Sequence, residues 1–121
     1  MENNEMFLVD ILNILPVEVD CYIQAPSLED IDILDMMNDT EYGYYQCLHI
    51  NNDNKNFIID KFQKETIVEY FNSIEIKEGK KLLFEGFDGI ESGTISKTVN
   101  IPNWFKEKYK EDWTYSISKE W

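Results

Sequence analysis

The chain has 121 residues, in which 24 Asp and Glu outnumber 11 Lys with no Arg and one His, so its formal net charge is -13. This length is typical of one domain, here residues 1–121, and a hydrophobic content of 43% is too high for a disordered acidic tail. The charge argues against direct nucleic-acid binding, since that depends on Lys and Arg displacing counterions from phosphates. We therefore expect a basic or neutral partner.

The acidic residues are not spread evenly along the chain. Residues 1–54 contain twelve acids and no Lys, whereas residues 55–121 contain twelve acids and all eleven Lys. Such asymmetry indicates an interaction surface on the first half. The alternative is a solvated acidic face that only keeps the protein dispersed in water.

The chain begins with patterns of a helix and a strand. Apolar residues recur at helical spacing over residues 5–15, with Asn3 or Asn4 as the N-cap and Pro16 as the stop. Apolar and polar residues then alternate over 17–24, which is typical of a strand with one buried face. We expect a helix and then a strand.

A short second helix is predicted next, with Ser27 as its N-cap. Its apolar side is formed by Leu28, Ile31, Leu34 and Met37. On this helix Asp32, Asp35 and Asp39 would share one face, which makes it a strongly acidic element.

The middle of the chain predicts a hairpin followed by a helix. Residues 41–50 alternate as a strand, the polar run 51–54 is typical of a turn, and 56–62 would pair back as a second strand. Residues 65–73 are predicted to be helical, with Ile67, Val68 and Phe71 on the apolar side.

The last part of the chain predicts strands around one helix. The strands are expected at 74–77, 81–87 and 94–99, and in the alternation of Trp113, Tyr115 and Ile117. The helix would have Pro102 at its first position. The sum is an α+β fold, a single domain with a mainly antiparallel sheet and two to four short helices, because the connections are too short for parallel crossovers.

Candidate catalytic and metal-binding groups are few. Cys47 and His49 are two apart on a predicted strand, so they share a face with Cβ atoms about 7 Å apart, a strained arrangement for a thiolate–imidazole pair. Glu29, Asp30, Asp32 and Asp35 would attract a divalent ion only weakly. We therefore predict no enzyme activity, no metal and no cofactor; a small hydrolase or metal-dependent enzyme is the least favoured alternative.

The location is predicted to be cytoplasmic. The first five residues are acidic where a signal peptide is basic, and no apolar run approaches the length of a membrane span. In a reducing compartment Cys21 and Cys47 are expected to be free thiols.

The strongest positive signal is for a protein-binding surface, because acids between residues 18 and 41 run directly into tyrosines. Aromatic anchors supply most of the affinity at protein interfaces, while charge speeds the encounter. The predicted partner-facing residues are Glu29, Asp30, Asp32, Asp35, Asp39, Glu41, Tyr42 and Tyr44.

The stretches 82–89 (LLFEGFDG) and 101–105 (IPNWF), in a small, acidic, Lys-only and aromatic-rich chain, resemble the immunity proteins of bacterial polymorphic-toxin and contact-dependent growth inhibition systems. The resemblance implies a protein that binds a cognate toxin, a basic nuclease domain, and covers its active site or a nearby exosite. The alternative is a DNA mimic that inhibits a restriction or CRISPR complex.

Overall fold

The computed structural model describes residues 4–110 and 114–121. Within them are four α-helices: α1 (Asn4–Ile14), α2 (Ile31–Met36), α3 (Lys55–Lys64) and α4 (Asn103–Lys108). The strands are β1 (Val19–Gln24), β2 (Met37–Asp39), β3 (Gln46–Ile50), β4 (Ser73–Glu78), β5 (Lys81–Phe87), β6 (Ser92–Ile95) and β7 (Tyr115–Ile117). A 3-10 turn lies at Val68–Tyr70.

All seven strands form one sheet in the order β2-β3-β1-β4-β5-β6-β7. Neighbouring strands are antiparallel except β6 and β7, which run parallel. The α+β prediction with a mainly antiparallel sheet is therefore confirmed.

The helices cover one face of the sheet. Burial alternates strictly along β1, where Val19, Cys21 and Ile23 are buried and the residues between them are half-exposed. The buried residues of β1, β3, β4 and β5 join one cluster with those of all four helices described, for example Ile33 of α2 and Phe105 of α4. Because one face of a strand carries alternate residues, the intervening residues point away from the helices.

Buried polar contacts connect the two ends of the chain. Asp10 of α1, only 6% exposed, accepts hydrogen bonds from Lys108 Nζ at 2.7 Å and from Tyr109 Oη at 2.6 Å. Above them the Phe7 ring packs edge-on against Phe84 of β5 and against Tyr109. These contacts fix the end of α4 directly to α1 on the helical side of the sheet.

Several predicted elements are confirmed. The helix over 5–15 appears as Asn4–Ile14, the strand over 17–24 as Val19–Gln24, and the strand at 81–87 with the same bounds. The strand at 74–77 is present within β4. The strand predicted over 94–99 is confirmed only at residues 94 and 95 of β6, because residues 96–99 form a turn in which the Val99 N–H donates to the Ser96 carbonyl at 3.1 Å. Pro102, predicted as the first helical residue, is the N-cap of α4, which begins one position later at Asn103.

Two predictions near the ends of the chain involve residues that lie partly outside the described ranges. The side chains of Asn3 and Asn4, the proposed N-caps, and residue Trp113, the proposed start of the last strand, lie outside the described residues. Within the described part, the last strand is confirmed at Tyr115–Ile117. Cys21 and Cys47 are free thiols, as predicted.

The hairpin predicted over 41–62 is wrong at both ends. The segment before Gln46 forms a turn, because Thr40 Oγ1 accepts from the Tyr42 N–H at 3.1 Å and donates to the Tyr45 carbonyl at 2.7 Å. The supposed second strand is helix α3. Ile58, Lys61 and Phe62 are buried, which fits helical spacing. Residue 60 is exposed, whereas in a strand it would share one face with residues 58 and 62.

Two predicted helices are also corrected. The segment 65–73 is helical only in its 3-10 turn, and Ser73 already belongs to β4, where it pairs with Phe87. Helix α2 begins after Asp30, which is its N-cap in place of Ser27. It ends at Met36, so Asp39 lies on β2 and does not share a helical face with the other acids.

Replacing Asp10 by Ala is expected to lower the free energy of unfolding by about 2 kcal/mol, because a buried carboxylate that accepts two hydrogen bonds is lost. The matched control is Asp60→Ala, which removes an exposed helical Asp paired to Lys64 at 3.0 Å and is expected to cost under about 0.5 kcal/mol. Both changes place Ala inside a helix, so propensity shifts equally. Urea unfolding measures both values, and equal losses would contradict the structural role of Asp10.

Candidate protein-binding surface

The face of the sheet opposite the helices, here called the open face, is polar and aromatic. In the described residues no helix packs on it. From strand alternation and register, its outward residues are Asp20, Tyr22 and Gln24 of β1, Cys47 and His49 of β3, Ser73, Glu75 and Lys77 of β4, and Glu85 and Phe87 of β5. This face brings acids, tyrosines and the single His together.

A pocket of about 360 Å³, here called the aromatic pocket, opens on this face. It is lined by Tyr22, Tyr42, Tyr45, Glu75 and Lys77. The Tyr42 ring meets the Tyr22 ring edge-on with centroids 6.4 Å apart, so the turn before β3 folds over the sheet. Three rings from different segments therefore surround one cavity.

The third tyrosine is tied to the middle of the sheet. The Tyr45 hydroxyl is hydrogen-bonded to the Ser73 hydroxyl at 2.8 Å, and Ser73 Oγ also lies 3.4 Å from Gln24 Oε1. This bond crosses from the start of β3 over β1 to β4. It holds the ring of Tyr45 in place as a wall of the pocket.

The charges around the aromatic pocket are only loosely paired. Lys77 Nζ lies 5.2 Å from the centroid of the Tyr22 ring and 3.9 Å from Glu75 Oε1. Glu75 stands directly opposite Glu85 in the β4–β5 register. Partial burial, and then the charge of Glu75, raise the pKa of Glu85. Like charges placed opposite each other destabilise an antiparallel pair, so this region favours an additional cation.

A second group on the open face is centred on His49. Its Nδ1 lies 2.6 Å from Asp20 Oδ1, and its Nε2 lies 3.2 Å from Glu18 Oε2. The hydrogen bond to Asp20 is the main reason that the pKa of His49 is raised above its ordinary value. The imidazolium form is therefore stabilised between two carboxylates.

The neighbouring Cys47 does not have the environment of a nucleophile. Its thiol is directed at Asp20 Oδ1, 3.8 Å away, and burial together with the charge of Asp20 raises the pKa of the thiol. His49 is engaged by the same carboxylate. A Cys–His nucleophile requires a thiolate beside the imidazole, and here Asp20 opposes that ionisation.

The described residues contain no group of three His, Cys, Asp or Glu side chains placed to hold a metal ion. Around His49 the reason is geometric, because the two carboxylates bind opposite nitrogens of the ring. A single metal ion bound to one ring nitrogen therefore cannot reach the carboxylate on the other side of the ring.

The acids predicted on the second helix form a separate site, here called the acidic edge: Glu29, Asp30, Asp32 and Asp35. Lys61 of α3 lies 2.9 Å from Asp30 and 3.2 Å from Asp32, and it also pairs with Glu65 at 2.8 Å. The acidic edge thus packs against a helix and lies on the helical side of the sheet.

Within the acidic edge, Asp30 has a structural role. Its side chain is 14% exposed and accepts the Ile33 N–H at 3.0 Å as the N-cap of α2. The Lys61 ammonium holds the pKa of Asp30 below its usual range. Glu29 and Asp35 are exposed at the surface.

Three of the remaining predicted partner-facing residues lie close to the open face, and the fourth, Asp39, lies on β2. Glu41, Tyr42 and Tyr44 are in the turn before β3, with Tyr42 60% and Tyr44 83% exposed. Asp39 on β2 accepts a hydrogen bond from Gln46 Nε2 at 3.2 Å. The structure therefore separates the eight residues into the acidic edge, Asp39 on β2, and three residues of a turn beside the aromatic pocket.

Sequence reasoning missed Tyr22, Glu75, Lys77 and Glu85 as surface residues that act together. The alternation of β1 already indicated that Asp20 and Tyr22 point to one face. It contained no information on whether that face is covered or on which strand lies beside it.

Comparison of the chain with protein-family profiles, with curated proteins and with solved structures finds no match. Among the helices within residues 4–110 and 114–121, none has the length and apolar character needed to cross a membrane.

Replacing His49 by Gln is expected to remove a pH dependence of stability. A His whose pKa is raised in the folded state stabilises the fold fully below its unfolded pKa of about 6.5, and this contribution is lost as the pH rises through the folded pKa. The wild-type free energy of unfolding should therefore fall, relative to that of His49→Gln, as the pH rises from below about 6.5 into the alkaline range. Urea unfolding across this range measures the difference, and parallel curves for the two proteins would refute the expectation.

Proposed function

We propose that this chain is an immunity protein that acts in the cytoplasm by binding and neutralising a basic toxin domain, and that the toxin docks on the open face and on the turn at residues 40–45. The observation that carries the proposal is a turn with exposed tyrosines beside a sheet face that bears incompletely paired acids and over which no helix of the described residues packs. The nuclease activity of the toxin is part of the proposal, because phosphate-binding clefts are basic.

The tyrosines have the properties of interface anchors. Tyr42 and Tyr44 expose most of their large rings to solvent. Tyr42 is held by the Tyr22 ring and by the Thr40 hydrogen bonds of its turn. An aromatic residue that is already positioned loses less conformational entropy on binding, which favours affinity.

The charges near these anchors favour a basic partner. Glu18, Asp20, Glu75 and Glu85 lie on or beside the open face, where they exceed the positive charge of Lys77 and His49. At the acidic edge, by contrast, Lys61 is bound to Asp30 and Asp32. The net charge of -13 accelerates association with a cationic protein, and the open face provides the groups for close contact.

This activity requires no catalytic group, since an inhibitor acts by covering its target. The raised pKa of the Cys47 thiol argues against the alternative of a cysteine hydrolase. The tyrosine-lined pocket favours a protein partner over a DNA-mimic role, in which surface carboxylates replace phosphates.

The proposal is tested first by a pull-down with the product of the adjacent upstream gene and by protection of cells that express that product. Binding together with protection supports the proposal. A chain that binds this product without protecting the cells, or that instead competes with DNA for a restriction or CRISPR complex, contradicts it.

The docking surface is tested with two matched double variants. Tyr44→Ala with Glu41→Gln removes one exposed tyrosine and one acid beside the open face, and is expected to weaken toxin binding at least about tenfold. Tyr70→Ala with Glu29→Gln removes the same groups beside the acidic edge, where both line one shallow pocket, and should change binding less than about threefold. Association and dissociation rates give both values. Equal losses in the two variants would refute the assignment of the surface.

A further inference from the structure

We infer that the aromatic pocket binds the guanidinium of an arginine side chain that the basic partner presents. The inference rests on the proposed function, because the partner is the source of the arginine, and it specifies the chemical group that the open face recognises. The pocket has the three features that such a site requires: aromatic walls, a carboxylate and room for a planar cation.

The aromatic walls come first. Tyr22, Tyr42 and Tyr45 belong to a strand, a turn and the residue before the next strand, so their rings surround the cavity of about 360 Å³ from different directions. The face of an aromatic ring carries partial negative charge and attracts a cation within about 6 Å of its centroid. A flat guanidinium also stacks on such rings.

The protein itself already places a cation in the pocket. Lys77 Nζ lies over the Tyr22 ring at 5.2 Å, within the distance at which the face of an aromatic ring attracts a cation. The same ammonium is 3.9 Å from Glu75 Oε1, at the long limit of an ion pair. Lys77 is therefore a weak internal occupant, and a partner's cation that displaces it gains both interactions.

The carboxylate explains the preference for arginine over lysine. Glu75 is half-buried at the pocket and stands opposite Glu85, whose pKa is raised by its burial and by Glu75. A guanidinium can stack on the tyrosines while donating two parallel hydrogen bonds to one carboxylate, whereas an ammonium is a compact point charge. The charge of a bound guanidinium also reduces the repulsion between Glu75 and Glu85.

Other occupants fit less well. A second copy of the chain also carries a charge of -13, so two open faces repel each other. A phosphate group is repelled by Glu75 and Glu85 for the same reason.

The probe for the test is N-acetyl-L-arginine methylamide, titrated into the full-length ¹⁵N-labelled chain and followed by amide chemical shifts. Saturable shifts are expected around Tyr22, Tyr45, Glu75 and Lys77. The corresponding lysine derivative is expected to bind at least about threefold more weakly.

Two variants remove the proposed contacts. Glu75→Gln and Tyr42→Leu should each weaken probe binding, Glu75→Gln by at least about tenfold. Glu29→Gln, which removes one acid at the acidic edge, is the control and should leave binding unchanged. Because Tyr42 and Glu29 are exposed, replacing them is not expected to disturb the fold. Unfolding curves for each variant verify that the fold is intact.

A third variant tests the displacement of the internal cation. Lys77→Gln vacates the position over Tyr22 and should tighten probe binding severalfold, whereas Lys64→Gln makes the same charge change on α3, where Lys64 pairs with Asp60, and should have no effect. Shifts that lie outside the pocket, equal effects of Glu75→Gln and Glu29→Gln, or equal effects of the two Lys variants would each overturn the inference.

The same variants separate this inference from the proposed function. If Glu75→Gln loses the probe but binds the toxin with unchanged affinity, the arginine contact is refuted and the immunity function stands. If the probe binds as expected and the chain neutralises no toxin, the proposed function fails and the guanidinium specificity of the pocket stands.

Discussion

The alternation of buried and exposed residues in β1 is the constraint on which the rest of the architecture depends. Val19, Cys21 and Ile23 must be covered, and all four helices described contribute buried residues to the cluster that covers them. The intervening residues are consequently directed to the other side. A one-sided helical layer thus produces both the core and the open face.

The same arrangement determines how the acids of the first half are balanced. Lys61 and Lys108 supply positive charge to Asp30, Asp32 and Asp10, and each of these pairs joins the two halves of the sequence on the helical side. On the open face, ion pairs between Lys and acids are fewer, and Lys77 Nζ lies 3.9 Å from Glu75 Oε1. The acids of this protein are therefore partly neutralised by Lys on the helical side and partly left without a close Lys on the open face.

Much of the fold followed from local sequence patterns. The alternation of apolar and polar residues is sufficient to locate β1. The run of residues between two turn signals is sufficient to locate β5. The segment of α3 is predicted as a strand because Phe57, Ile58 and Ile59 are residues that strands favour. The helical period is visible only in the structure, where residues 58, 61 and 62 are buried and residue 60 is exposed. Tertiary packing determined that choice.

The candidate site was less accessible to sequence reasoning. The exposed Tyr42 and Tyr44 could be identified from their neighbourhood, but the partner of Asp30 lies 31 positions away at Lys61 and nothing local indicates it. The aromatic pocket combines residues 22, 42, 45, 75 and 77, which only the strand order brings together. Strand order is a non-local property that single-sequence patterns do not encode.

The position of β1 inside the sheet also affects how the chain acquires its fold during synthesis. Its neighbours are β3 and β4, so residues 1–54 leave the ribosome with twelve acids, no Lys and one edge of β1 without its partner strand. Lys61 arrives only with α3, β4 follows, and the partners of Asp10 come at residues 108 and 109. The ion-pair partners of Asp10 and Asp30 and the last strand of the sheet all belong to the second half of the sequence, so the complete fold requires nearly the whole chain.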